Sequence, residues 1–298
     1  MEPRRHILQL PNLGADGKHE IAFFDWGPED SDSVVVCVHG LTRNAHDFDA
    51  LAASLAAQGK RVLAIDMAGR GQSAWLADPM QYNYATYVAD CLGVLNNFHI
   101  RSVDWVGTSM GGIIGMMIAA YHPARIRKLV LNDVGTFLGK AALGRIYDYV
   151  RSMPKNFPSR DAADAYLKEI FQPFGITNAG QWARFAEHSL RNEDGEIRLA
   201  CDPAIAVPLA AASDNFTTID DVNLSELWEK IDIPVLILRG ALSDVLDAET
   251  VSAMRAKHTK AEAITIEGVG HAPALTSDEQ IRLINQWLVR DSRYGAGL

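Results

Sequence analysis

Short apolar runs alternate with amphipathic stretches along most of the chain, and this alternation restricts the fold more than any other feature. The runs carry few polar residues, which predicts strands covered on both faces. They are Val34–Val38, Arg61–Ile65, Val103–Val106, Leu129–Leu131, Pro234–Leu238 and Ala263–Ile266. The stretches between them predict helices over Phe48–Gln58, Tyr84–Asn97, Met110–His122 and Ala248–Lys257. The pattern predicts an α/β fold with a mostly parallel sheet flanked by helices.

Both ends of the chain fit this architecture. His6–Leu10 and His19–Trp26 are separated by a glycine-containing turn, which predicts a hairpin at an antiparallel edge of the sheet. Asp278–Val289 predicts the last helix, because Thr276 or Ser277 can serve as its N-cap.

The alternation stops after Asp133 and resumes near Leu224. A loop of this length without structure of its own would be unusual inside a compact domain, so we predict an inserted helical cap. Its helices are predicted over Lys140–Met153, Arg160–Phe171 and Gly180–Leu190. The predicted division is therefore a core of residues 1–134 and 223–298 with a cap of residues 135–222.

The charge and composition exclude several partners. The chain has 298 residues and a net charge of −9, which would repel nucleic acid and anionic lipid. The uncharged stretch Trp105–Tyr121 is interrupted by polar residues and glycines and is too short to span a membrane. Three separated cysteines without metal-ligand spacing, and an N-terminus without a signal-peptide pattern, predict a cytoplasmic protein.

One strand is followed by a turn that favours nucleophilic chemistry. Val103–Val106 leads into Gly107-Thr108-Ser109-Met110-Gly111 and then directly into an apolar helix. Small residues two positions before and after a serine allow a sharp turn, which exposes the hydroxyl at the top of the sheet. Ser109 is therefore the predicted nucleophile. The alternative, a glycine-rich helix start with Ser109 as N-cap, is the weaker interpretation.

A serine nucleophile needs a base, and His271 is the predicted one. It follows the last predicted strand in the sequence Gly268-Val269-Gly270-His271, where a loop can place the imidazole over the nucleophile. Seven other histidines fall in the N-terminal segment, in helices or their ends, or in the predicted cap. The remaining one, His39, is predicted to bond neighbouring loops.

The third member of such a system is a carboxylate that orients the histidine. Asp244 follows the penultimate strand and precedes the strand that leads to His271, so we choose it. Asp133 is the rival, because it ends the preceding strand at the same edge of the sheet. Asp247 is predicted to start the following helix instead.

Attack on a carbonyl creates an oxyanion that two main-chain N–H groups can bind. Met110, directly after the nucleophile at a helix start, is one predicted donor, and Leu41, after the strand Val34–Val38, is the other. Arg43 follows this loop and could bind a substrate carboxylate or form an ion pair with Asp47 or Asp66. We favour the ion pair. The sequence implies no metal and no organic cofactor.

These motifs resemble the α/β-hydrolase fold superfamily over nearly the whole core. The resemblance is closest to capped bacterial serine carboxylesterases, some of which also cleave polyesters of hydroxy acids. It implies the same roles for Ser109, Asp244, His271, Leu41 and Met110. Haloalkane dehalogenases and epoxide hydrolases carry an aspartate where this chain has Ser109, so the resemblance does not extend to their mechanism.

The predicted function is hydrolysis of short to medium apolar carboxylic esters through an acyl-enzyme, including esters of hydroxy acids. The partner is a small-molecule ester, which would enter along an apolar channel lined by aromatic residues of the cap, namely Phe171, Phe174, Trp182 and Phe185. Two alternatives remain: a carbon–carbon bond hydrolase that uses the same three residues, and a slowly hydrolysing ligand receptor.

Overall fold

The computed structural model describes residues 2–211 and 220–290. Its strands are β1 (Arg4–Pro11), β2 (Lys18–Trp26), β3 (Val34–Val38), β4 (Arg61–Ile65), β5 (Val103–Thr108), β6 (Ile126–Asn132), β7 (Phe137–Leu138), β8 (Leu190–Glu193), β9 (Glu196–Leu199), β10 (Val222–Asn223), β11 (Val235–Gly240) and β12 (Ala261–Ile266). Its α-helices are α1 (Asp49–Ala56), α2 (Tyr84–Asn97), α3 (Met110–Tyr121), α4 (Lys140–Arg151), α5 (Arg160–Phe171), α6 (Ala179–His188), α7 (Ala206–Ala211), α8 (Ser225–Trp228), α9 (Ala248–Lys257) and α10 (Asp278–Val289).

Eight of these strands form the central sheet, in the order β1-β2-β4-β3-β5-β6-β11-β12. The pairs β1–β2 and β2–β4 are antiparallel, whereas β4–β3, β3–β5, β5–β6, β6–β11 and β11–β12 are parallel. The predicted mostly parallel sheet with an antiparallel edge hairpin is confirmed. Strand β6 lies between β5 and β11, so the ends of these three strands meet at one edge.

The central strands are buried because their side chains alternate between two apolar layers. All five residues of β3 are buried. Val35 packs with Trp26 in the layer that includes α1 and α10, whereas Val36 packs with Trp105 in the opposite layer that includes α3. Continuous apolar runs are therefore what a sheet with helices on both faces requires.

Helix α3 packs so closely on the sheet that glycine is required at its first turn. A Cβ atom at Gly111 would lie 2.0 Å from the carbonyl oxygen of Val38, and one at Gly107 would lie 2.3 Å from the main chain of Gly111. Backbone atoms cannot yield as the end of a flexible side chain can. The turn between β5 and α3 is thus held tightly against β3.

The segment between β6 and β11 differs from the core. It contains α4, α5, α6 and α7, and its predicted helices are present with small shifts of their ends. The antiparallel hairpin of β8 and β9 was not predicted, and Leu190, the predicted end of a helix, begins β8. We call residues 135–222 the inserted segment; residues 212–219 lie outside the described part. Its treatment as a separate cap domain stays a prediction.

The inserted segment contacts loops at the carboxyl edge of the parallel strands. The Tyr149 hydroxyl of α4 lies 3.2 Å from the Thr42 hydroxyl, which follows β3. The N–H of Gly270, after β12, donates to the Pro173 carbonyl at 2.8 Å. At its base, β7 pairs with β10. The segment therefore lies over the edge at which β5, β6 and β12 end.

Two further observations concern sequence predictions. The three cysteines are buried free thiols, as their spacing predicted. Among the helices of the described residues, none combines the length and hydrophobicity needed to cross a lipid bilayer.

Candidate active site

Ser109 occupies the turn between β5 and α3 in a strained main-chain conformation. Its φ is 50° and its ψ is −112°, a region that residues other than glycine rarely adopt. The Ser109 N–H donates to the Asn132 carbonyl at 2.9 Å, and the Ser109 carbonyl accepts from the N–H groups of Gly112 and Ile113. The turn that was predicted to expose this hydroxyl is therefore present and is tied to the end of β6.

His271 lies in the loop after β12 and contacts Ser109. Its Nε2 is 3.0 Å from the Ser109 Oγ, and its Nδ1 is 2.7 Å from Oδ2 of Asp133. An ionised carboxylate only accepts hydrogen bonds, so Nδ1 carries the proton and Nε2 is left as the acceptor for the serine hydroxyl. The structure thus brings together the predicted nucleophile and base in the orientation that proton transfer requires.

The carboxylate that contacts His271 is Asp133. Its side chain is fully buried, and its Oδ1 accepts from the Gly240 N–H at 2.8 Å. Oδ2 accepts from the Ser243 hydroxyl at 2.6 Å in addition to the imidazole. Asp133 itself has a φ of 56°. Three donors satisfy this buried group, so it is held as a fixed acceptor beside the histidine.

The predicted contact between Asp244 and His271 is wrong. The Asp244 side chain is 51% exposed, and its two oxygens accept from Nε and Nη2 of Arg145 on α4 at 2.5 and 2.9 Å. The loop after β11 carries Asp244 away from the sheet toward the inserted segment, whereas Asp133 directly follows β6, the strand that borders β5. Asp247 caps α9 as predicted, accepting from the Thr250 N–H.

The two predicted oxyanion donors are the residue directly after the nucleophile, Met110, and Leu41 in the loop after β3. Met110 is the first residue of α3, where a helix leaves main-chain N–H groups without intrahelical acceptors. The loop with Leu41 also reaches the serine, because a Cβ atom at Gly40 would lie 3.8 Å from the Ser109 Cβ. Their role as donors stays a prediction.

His39 is structural, as predicted. Its ring is fully buried between two loops, with Nδ1 2.7 Å from the Gly40 carbonyl oxygen and Nε2 3.0 Å from the Met67 nitrogen. The carbonyl requires Nδ1 to be the donor, and the N–H requires Nε2 to be the acceptor, so the ring is neutral. Burial lowers the pKa of His39 to about 3.

Arg43 forms the ion pair that the sequence favoured. Its Nε and Nη2 donate to the Asp47 carboxylate at 3.0 and 2.6 Å, and Nη1 donates to the Ser189 hydroxyl at 2.7 Å. The guanidinium lies 3.7 Å from the centroid of the Phe185 ring. Because the residue is only 3% exposed, it joins the inserted segment to the core and is not free for a substrate carboxylate.

The aromatic residues predicted to line a channel do form one cluster. Phe171 contacts the rings of Phe174 and Phe185 at centroid distances of 5.0 and 5.2 Å, and Trp182 lies 5.4 Å from Phe185. A crevice between the inserted segment and the core is lined by Phe174 and Phe185 together with Thr108, which precedes the nucleophile. The apolar cluster therefore reaches the neighbourhood of Ser109.

Three possible metal ligands lie close together where α6 of the inserted segment contacts the core, namely His46, Asp49 and His188. The two imidazole rings are stacked, with centroids 3.6 Å apart and planes inclined by 12°. A ring nitrogen binds a metal in the plane of its ring, so nearly parallel stacked rings do not direct their lone pairs to one point. Burial lowers the pKa of His46, but the hydrogen bond to Asp49 and the negative charges of Asp49, Asp66 and Asp47 together outweigh this, and the pKa is raised. The cluster fits a hydrogen-bonded ion pair better than a metal site.

Comparison with known proteins identifies what this fold and site are similar to. A family model described as alpha/beta hydrolase fold matches residues 33–278. A 3-hydroxybutyrate-oligomer hydrolase of Cupriavidus necator is 38% identical over 289 residues, which are 96% of this chain and 97% of that protein. A pimeloyl-[acyl-carrier protein] methyl ester esterase of Neisseria meningitidis is 26% identical over 82% of this chain and 89% of that protein.

A solved structure shows the same likeness in three dimensions. An alpha/beta hydrolase from Novosphingobium aromaticivorans superposes with a TM-score of 0.83 at 34% identity. The superposition covers 96% of this chain and 98% of that one. The likeness therefore includes both the core and the inserted segment.

Proposed function

The chain belongs to the α/β-hydrolase fold family and is an ester hydrolase of the carboxylesterase type, and on this premise we propose that Ser109, His271 and Asp133 hydrolyse esters through an acyl-enzyme. The single observation that carries the proposal is the continuous chain of contacts from the Ser109 Oγ through the imidazole to a buried carboxylate. In this chain of contacts Asp133 occupies the position that was predicted for Asp244.

The first half-reaction forms the acyl-enzyme. Ser109 Oγ attacks the ester carbonyl carbon while its proton moves to Nε2 of His271, and the carbonyl oxygen becomes an oxyanion. The bond to the alcohol oxygen then breaks, and the alcohol leaves with the proton from Nε2. Asp133, which accepts from Nδ1, stabilises the imidazolium between these two proton transfers.

The second half-reaction restores the enzyme. Nε2 takes a proton from water as the water oxygen attacks the acyl carbon, and the bond to Ser109 Oγ breaks as that oxygen regains the proton. The product is the free carboxylic acid. In both halves the negative charge lies where the N–H groups of Leu41 and Met110 are proposed to donate, and preorganised donors of this kind lower the barrier.

The substrate class we propose is esters of short hydroxy acids, including their oligomers. The near full-length relative from Cupriavidus necator, named a 3-hydroxybutyrate-oligomer hydrolase, supports this assignment. The aromatic cluster of Phe171, Phe174 and Phe185 supplies an apolar wall for a small acyl chain. Such a substrate needs no cofactor, and the proposed steps involve none.

The carbon–carbon bond hydrolase is the less supported alternative. The sequence favoured it only if Arg43 were available to bind a substrate carboxylate. In the structure, the Arg43 guanidinium is paired with the Asp47 carboxylate instead. We also propose a cytoplasmic location, in which the buried thiols Cys37, Cys91 and Cys201 would stay reduced.

The test is turnover by the purified protein and by Ser109→Ala. Dimers and trimers of 3-hydroxybutyrate, p-nitrophenyl butyrate and a vinylogous diketone are offered separately, and acid release or absorbance is followed. We expect hydrolysis of the esters, a burst of p-nitrophenol that matches the enzyme concentration, and a loss on the order of 10³ to 10⁶ in kcat for the variant. Absent ester turnover, or turnover that Ser109→Ala retains, would overturn the proposal.

A further inference from the structure

Arg70 is a fully buried arginine that lies behind the proposed oxyanion site. It stands in the turn after β4, between Gly69 and Gly71, and has no exposed surface. Its Nε donates to the Leu41 carbonyl at 2.8 Å, and its Nη2 lies 3.8 Å from the sulfur of Met110. One guanidinium therefore touches both residues whose N–H groups are proposed to bind the oxyanion.

The other contacts of Arg70 are neutral as well. Nη1 donates to the Ala68 carbonyl and to the Tyr87 hydroxyl, both at 2.7 Å. The ring centroids of Tyr87 and Tyr82 lie 5.0 and 5.7 Å from the guanidinium carbon. Within the described residues, no carboxylate forms a salt bridge with Arg70. Arginine keeps its charge in proteins, so a positive charge is buried here without a paired anion.

A buried charge without a counter-ion is costly, and a protein that only needed to fill this space would use an apolar side chain. The charge becomes favourable when a negative charge forms beside it. In the proposed reaction, this happens next to Leu41 and Met110, the two residues that the buried guanidinium contacts. The attraction from a buried charge is screened less by water and salt than that from an exposed one.

The turn that carries Arg70 is also held by hydrogen bonds from the inserted segment. The Gly71 N–H donates to the Ala200 carbonyl, and the Asp202 N–H donates to the Gly69 carbonyl, both at 2.8 Å. Ala200 and Asp202 belong to the inserted segment. The guanidinium is thus held in place by both the core and the inserted segment, which is the preorganisation that transition-state stabilisation requires.

We propose that Arg70 is a positioning residue for the oxyanion: it holds the Leu41 loop by its carbonyl and places a fixed positive charge behind the two N–H donors. The inference rests on the proposed esterase function. It differs from a purely structural role, because its effect should fall on the tetrahedral transition state rather than on substrate binding.

The test compares Arg70→Gln and Arg70→Lys with a matched control. Arg61 is also a buried arginine on the β4 side of the sheet, but it pairs with the Asp25 carboxylate and lies at the opposite end of the strand from the site. For each variant, kcat and KM for p-nitrophenyl butyrate, the inhibition constant of an alkyl boronic acid, and Tm are measured. The boronic acid forms a tetrahedral anion on the serine.

We expect Arg70→Gln to lower kcat by about 10- to 100-fold with KM changed less than about threefold, and to weaken boronate inhibition in parallel. Arg70→Lys keeps the positive charge but loses the fork, that is, the planar set of N–H donors that contacts Leu41, Ala68 and Tyr87, so its kcat should be intermediate. Arg61→Gln should lower Tm and leave kcat and the boronate inhibition constant near those of the unaltered protein.

Equal effects of Arg70→Gln and Arg61→Gln on kcat would overturn the inference, as would an Arg70 variant with full kcat. If Arg70→Gln does not fold, Arg70→Lys decides, since an unchanged kcat and boronate affinity there would refute a role for the fork. The failure of the proposed function is separate. It would appear as ester turnover that persists in Ser109→Ala, whatever the Arg70 variants do.

Discussion

The assignment of the carboxylate can be tested by exchanging one atom. In Asp133→Asn, the side-chain amide keeps an oxygen for the Gly240 N–H but must place its NH₂ where Oδ2 now accepts from His271 and Ser243 at 2.7 and 2.6 Å. The Nδ1–H of His271 and the Ser243 hydroxyl, both donors to Oδ2 in the unaltered protein, would then face the NH₂ group of the new asparagine. The imidazole avoids this clash by moving its proton to Nε2, which leaves no acceptor for the Ser109 hydroxyl.

The expected loss follows from the wrong tautomer. The same exchange in serine proteases lowers kcat by about 10⁴, which corresponds to roughly 5 kcal/mol of transition-state stabilisation. For Asp244→Asn, the ion pair with Arg145 is about half exposed on both sides. Such pairs contribute roughly 0 to 1 kcal/mol, so kcat should change less than about fivefold.

The assay is steady-state hydrolysis of p-nitrophenyl butyrate at pH 8 by the two variants and the unaltered protein, with thermal melts to show that each is folded. We expect Asp133→Asn to be impaired by three to four orders of magnitude relative to Asp244→Asn, about 10³ to 10⁴. A larger loss in Asp244→Asn would refute the geometric argument and return the carboxylate role to Asp244.

Two stability predictions also follow. Because the folded chain lowers the pKa of His39 to about 3, its stabilisation is complete above the unfolded pKa of about 6.5 and is lost as the pH falls toward 3. The free energy of unfolding of the unaltered protein, measured in urea melts, should therefore include a loss of about 2 kcal/mol between pH 7 and pH 5 that comes from His39. In His39→Asn this loss should be absent, and an equal pH dependence in the variant and the unaltered protein would contradict the prediction. The comparison with the unaltered protein is needed because burial raises the pKa of Asp66 to about 6, which gives the opposite slope. Gly111→Ala should lower Tm sharply, since its Cβ would meet the Val38 carbonyl, whereas Gly144→Ala on α4 meets nothing within 4 Å and should stabilise the helix by about 1 kcal/mol; similar Tm shifts for both would argue against the close packing of α3.

The sequence predicted those parts of the site that depend on local geometry. The conformation of Ser109 follows from the glycines of a strand–turn–helix, and His271 follows from the end of the last strand, so both could be identified without knowledge of strand order. The role of His39 in bonding neighbouring loops was also predicted, because the residue stands at the end of a buried strand, whereas its neutral state follows only from its contacts in the structure.

The carboxylate could not be identified this way because its position depends on which strands are neighbours. Chain order places Asp244 nearer to His271, but β6 lies between β5 and β11, so Asp133 is the one that reaches the imidazole. The signal was present as a polar pair, Asn132 and Asp133, directly after the apolar run Leu129–Leu131. Ser243 was missed because its contact with Asp133 depends on the path of the loop after β11.

Arg70 was missed for a similar reason. Its neighbours in the chain are glycines, and nothing local shows that its guanidinium reaches a loop almost thirty residues earlier in the sequence. Contacts between loops of different strands are set by the whole sheet. The contacts that depend on strand order and on the paths of loops were therefore the ones that could not be predicted.

The pairing of β7 with β10 has a consequence for how substrate range can change. Phe137 and Leu138 lie opposite Asn223 and Val222, so the chain leaves and rejoins the core across one pair of adjacent strands, about 5 Å apart. The residues between them can vary in number and fold without stretching the β-sheet. Substitutions within this segment can thus change the wall of the crevice, whereas substitutions that move Ala200 or Asp202 would also disturb the turn that carries Arg70.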